Sequence, residues 1–183
     1  MFVYLSWFFS QKTHLNKSDR KWAKPGSLLP VFETQELGKI GVLLGEDARY
    51  PEASGVLAVK RADIIAIPSA WHGQYGGEME INKEISVNKY PKGSMVTWDA
   101  VAIGAQAYTV IANYIGTEKG YLGRSSLYTL DPLYGLDQPI VASKEKEEAL
   151  VVKFKTLQSD AWFNQERLIH SRKTTYFVPL VHE

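Results

Sequence analysis

Two consecutive acids, Glu46 and Asp47, follow a short apolar run and precede Pro51-Glu52. Adjacent carboxylates could activate water directly. The same residues also have a structural reading. Asp47 would cap the helix that opens at Pro51, and Glu46 would be a solvated turn residue. The four histidines, His14, His72, His170 and His182, are scattered along the chain and form no His-x-x-x-His pair, so no metal site is expected. Gly73, Gly76 and Gly77 are followed by no Lys-Ser/Thr, so they read as a loop rather than a phosphate cradle, and no cofactor is expected. The chain contains no cysteine. A thiolate nucleophile, a disulfide and a Cys-type zinc site are therefore excluded from what these 183 residues supply.

The elements that must position such groups are legible from pattern. Length suggests one domain over residues 1–183 with a sizeable core. Hydrophobic residues make up 45% and charged residues 22%, which argues against disorder. A net charge of +1 gives no global electrostatic reason to expect nucleic acid or an acidic membrane as partner. The apolar stretch Met1–Phe9 is about half of the roughly 20 residues a membrane helix needs, and it reads as a buried strand. With no signal-like start, the expected compartment is the cytoplasm. Between Lys12 and Lys24 five basic residues face one acid, Asp19, which reads as a solvated loop.

Strands are expected at Leu29–Thr34, Ile40–Leu44, Asp63–Ile67, Tyr108–Tyr114, Ser125–Leu130, Pro139–Ala142 and Ala149–Phe154. The continuous run at Ile40–Leu44 suits a strand covered on both faces. A helix from Pro51 to about Arg61 lies between two of these strands, which predicts a βαβ-like unit over residues 40–68. A second helix is expected from Ser94, with Trp98, Val101, Ala102 and Ala105 on one apolar face. His72–Pro91 reads as a long loop of the functional kind. The tail, Ala161–Glu183, is expected to pack along the body or across a subunit interface.

Residues 39–70, KIGVLLGEDARYPEASGVLAVKRADIIAIPSA, resemble the core signature of the carbon–nitrogen hydrolase (nitrilase) family. Asp47, Arg49, Tyr50, Pro51 and Glu52 match its acid and helix start, and Ala62-Asp63-Ile64-Ile65 with Pro68-Ser69-Ala70 match its second strand. Lys12-Thr13-His14-Leu15 resembles the segment that carries the family's catalytic lysine. Asn113, Gly116, Gly123, Ser125, Asp131-Pro132, Gly135, Arg172 and Tyr176 continue the resemblance in order. It implies an α/β fold of αββα sandwich type, with the first strand–helix portion outside this chain. It also implies action on a non-peptide C–N bond of an amide, carbamoyl amine or nitrile. Lys12 is implied as the oxyanion-binding cation, with Asp19, Ser69 and Trp71 as substrate-binding candidates.

The departures from the family pattern shape the functional expectation. The nucleophile position is Gly45, and the aromatic that follows it in the family is Glu46. The Arg, Glu and Asn of a later family helix are absent from Val101-Ala102-Ile103-Gly104-Ala105. The stretch before Lys12 contains no Glu to serve as general base. A covalent route needs a nucleophile, and a glycine provides none. The expectation is a homologue without that activity, serving a structural, regulatory or ligand-binding role. The rival is a hydrolase that uses water activated by Glu46 or a nucleophile from a partner chain. Expected partners are a second copy, a longer family member, or a small amide-type or nitrile ligand.

Overall fold

A computed structural model describes residues 9–72, 78, 79, 88, 90–128, 139–152 and 165–180. All but Phe9 of the expected strand at Met1–Phe9, most of the loop at His72–Pro91 and the turn at Asp131, Pro132 and Gly135 lie outside the described residues.

The βαβ expectation holds. β1 (Val31–Thr34) turns back antiparallel onto β2 (Gly38–Val42), and α1 (Pro51–Val59) carries the chain to β3 (Ile64–Ser69), parallel to β2. β4 (Glu78–Met79) and β5 (Tyr90–Pro91) form a separate two-stranded sheet. α2 (Lys92–Ala105) then leads to β6 (Tyr108–Asn113), parallel to β3. β7 (Ser126–Tyr128) and β8 (Ile140–Val141) add antiparallel strands, giving the order β1-β2-β3-β6-β7-β8.

Side-chain alternation places Leu43, Ile65, Ile67 and Ile111 toward the helices, where all four are buried against Leu57 and Trp98. The predicted apolar face of α2 is fully used, because Trp98, Val101, Ala102 and Ala105 are all buried. Gly41 permits the close seat of α1: a Cβ there would lie 2.8 Å from Leu57 Cδ1. On the opposite face, Val42, Ala66 and Val110 pair across three strands and are only partly covered, with Val110 38% exposed. The strand expected to be covered on both faces is therefore covered well on one. Both helices of the βαβ units lie on that one side.

Three further expectations are corrected. α2 begins at Lys92, two residues ahead of Ser94. α1 ends at Val59, and Arg61 follows in the left-handed region at φ 63°. Residues 149–152 form no strand, and Val151 is 92% exposed. Alternation alone does not make a strand there, because those residues pair with no neighbouring strand to complete a ladder. The tail packs along the body through α3 (Gln165–His170), where Glu166 pairs with Arg61.

Candidate binding site at the turn after β2

The chain leaves β2 through Leu43-Leu44 and makes a tight helical turn, Gly45–Arg49, before α1 begins. Asp47 is the anchor of that turn and is fully buried. Its Oδ1 accepts from Thr13 N at 3.1 Å, Thr13 Oγ1 at 2.8 Å and His14 N at 2.7 Å. Its Oδ2 accepts from Leu44 N at 3.2 Å. The His14 ring lies 3.0 Å from Oδ1 through Nδ1 and stacks on Tyr50, centroids 3.6 Å apart. These charge-assisted bonds fasten residues 13–14 to the turn across more than thirty residues of sequence. The expected cap on α1 is not what Asp47 provides. The residue preceding α1 is Tyr50, and no side-chain cap bond is made there. Both Asp47 oxygens are engaged by these neighbouring donors.

That fastening sets Lys12 at the rim of a cavity of about 650 Å³. Lys12 Nζ donates to Asp19 Oδ2 at 2.5 Å. The bond from the Lys12 ammonium holds the Asp19 carboxyl below the usual carboxylate range, with help from the Asn16 backbone N–H and the lysine charge, against a smaller opposing effect of burial. Gly45 lies in the cavity lining at φ 53°, a left-handed conformation suited to glycine. Among the described residues, a Cβ built there would approach only Trp71 Nε1, at 3.8 Å. The position therefore has room for a side chain and carries none. Trp71 packs below against Trp98, with ring centroids 5.1 Å apart.

The cavity floor is the carboxyl end of the parallel strands. Leu44 and Gly45 follow β2, Ser69 ends β3 and Asn113 ends β6. Ligands of open α/β sheets bind at this end of the strands. Ser69 Oγ is buried and has no hydrogen-bond partner among the described residues. Asn113 is a strut: its Oδ1 accepts from Trp71 N and its Nδ2 donates to Gly123 O, both at 2.9 Å. The outer wall comes from Ser143 and Lys146–Glu148, where Ser143 N donates to Glu148 Oε1.

Of the residues expected from sequence, Lys12, Gly45 and Ser69 meet at this cavity. Asp19 joins through Lys12, and Trp71 lies beneath Gly45. Glu46 does not line the cavity, and its carboxylate pairs with Arg49 at 3.2 Å. Asn113, Tyr114 and Ser125 line the site without having been singled out as site residues. The end of a predicted strand adjoining the βαβ unit was the signal that could have found Asn113. Among the described residues no group of three or more His, Asp or Glu could hold a metal ion, and no helix is long and apolar enough to cross a membrane.

The chain belongs to the carbon–nitrogen hydrolase family, whose model, described as Carbon-nitrogen hydrolase, matches residues 8–132. Over 156 residues it is 26% identical to a protein of Schizosaccharomyces pombe named "Probable nitrilase", covering 82% of this chain and 48% of that one. Among solved structures, Saccharomyces cerevisiae Nit3, a member of branch 10 of the nitrilase superfamily, is 22% identical with a TM-score of 0.54, over 74% of this chain and 44% of its own. A mutant of the Nesterenkonia AN1 amidase is 21% identical with a TM-score of 0.56, over 74% and 46%. These likenesses establish the nitrilase-type α/β fold. The chain spans about half the length of the relatives it matches.

Proposed function

We propose that this domain binds a small neutral carboxamide without cleaving it. The observation that carries the reading is Gly45. It occupies the turn at the cavity floor, in a chain with no cysteine, with space above it and no side chain to attack a carbonyl. One similar solved structure is an amidase mutant in complex with butyramide, and another shows an acetamide moiety added to an active-site cysteine. Lys12 offers the ligand carbonyl a cation with donors left over from Asp19, because an ammonium has three N–H groups. The unpartnered Ser69 hydroxyl supplies a second polar contact. Glu46 is a poor substitute base, being engaged by Arg49 outside the cavity lining.

The same reading includes a protein partner. The sheet face carrying Val42, Ala66 and Val110 is only partly covered by the described residues, and a second copy or a longer family member would bury it. The test of the ligand reading combines calorimetric titration with butyramide and an assay for released ammonia. The expected result is saturable binding with ammonia at background. Ammonia release that disappears in Lys12→Ala would overturn the non-catalytic reading.

A further inference from the structure

A row of aromatic rings leads out of the cavity. Tyr114 lines the cavity and is 64% exposed. Its ring centroid lies 5.5 Å from that of Tyr121, with planes 33° apart. Tyr121 in turn lies 4.2 Å from the His72 ring at 38°. The platform is fixed by backbone. His72 and Tyr121 form an antiparallel bridge, and Leu122 N donates to Trp71 O at 2.9 Å. Tyr121 N donates to Gly116 O, and Gly116 and Gly120 take positive φ values that fold this loop back on itself.

The rest of the lining is mixed. Lys12 and Ser69 are polar, Leu44, Pro68, Ala112 and Ile115 are apolar, and the outer wall of Ser143 and Lys146–Glu148 is polar again. A volume of about 650 Å³ falls in the range of sites that enclose ligands of drug size, well beyond a short aliphatic amide. From these observations we infer that the ligand is a carboxamide with a planar aromatic substituent, its amide group toward Lys12 and Ser69 and its ring stacked on Tyr114. This rests on the carboxamide reading above and adds the substrate class. A ring on the open side of Tyr114 extends an existing series of offset contacts, and such pairs add to simple apolar burial.

The experiment is calorimetric titration of benzamide and of butyramide into the wild-type chain, Tyr114→Ala and Tyr114→Phe. Tyr114 is exposed, so neither variant removes core packing. Benzamide should bind the wild type about tenfold more tightly than butyramide. Tyr114→Ala should bring the two affinities together, and Tyr114→Phe should retain the preference because it keeps the ring. Equal affinities in the wild type, or a preference unchanged in Tyr114→Ala, would overturn the aromatic assignment while leaving carboxamide binding intact. Binding of neither probe would remove both.

Discussion

The floor of the cavity is made from the ends of parallel strands and the Asp47 turn, whereas its outer wall is made from Ser143 and Lys146–Glu148 beyond β8. On the floor, a buried carboxylate collects donors from segments more than thirty residues apart. On the wall, Ser143 and the exposed Glu148 make a local bond within six residues of chain. The contrast teaches where the site is predetermined. Lys12, Gly45 and Ser69 are held by the core, and the wall can change sequence with little effect on them.

The largest effect expected from this contrast is in Asp47→Ala. It strands the Thr13, His14 and Leu44 N–H groups and should cost about 3–5 kcal/mol in denaturant unfolding. A cost under about 1 kcal/mol would break the distinction between floor and wall. Next in size is Gly45→Cys. The side chain has room, so the protein should fold, at a cost of about 1–3 kcal/mol for a left-handed non-glycine residue. Thiol titration should find one accessible sulfur, and butyramide should still yield no ammonia. Turnover by this variant would mean that some other group in the chain already serves as base.

Smaller still is the Lys12–Asp19 pair. Asp19 has a lowered pKa in the folded chain, so its stabilisation is complete above the ordinary carboxylate range and is lost as pH falls through the lowered value. Asp19→Asn should therefore be less stable than wild type near neutral pH, by under about 1 kcal/mol, and the gap should close on acidification. Thermal melts of both proteins from neutral to acid pH would show it, and a gap that widens in acid would contradict the assignment. The smallest effect belongs to the wall: Glu148→Ala should stay within about 0.5 kcal/mol of wild type. A loss comparable to that of Asp47→Ala would erase the contrast.

Much of the floor was legible in the sequence because its cues are local. The apolar run before Gly45, Pro51 at a helix start and DIIAI-Pro each report on their own neighbourhood, and the strand–helix–strand unit follows. The Trp98 face was legible for the same reason, since helical periodicity needs no distant partner. The role of Asp47 was not. An acid before a helix looks like a cap, and only the folded chain brings Thr13 and His14 to it. The exposed stretch at Leu150-Val151 misled in the opposite direction. It has the alternation of a strand, but pairing is decided by what lies alongside. The rings of His72, Tyr114 and Tyr121 were also hidden, because they are separated in sequence and joined by a turn whose glycines do the positioning.

Gln165 uses both amide hydrogens at once, one on Ala62 O just past α1 and one on Ala105 O at the end of α2, each at 3.0 Å. One side chain thus gauges the spacing between two helix termini, so sliding either helix breaks a bond on the other's behalf. A carboxylate in place of that amide would set negative charge against two carbonyl-rich helix ends, where the dipoles repel it, and would loosen the tail from both helices together.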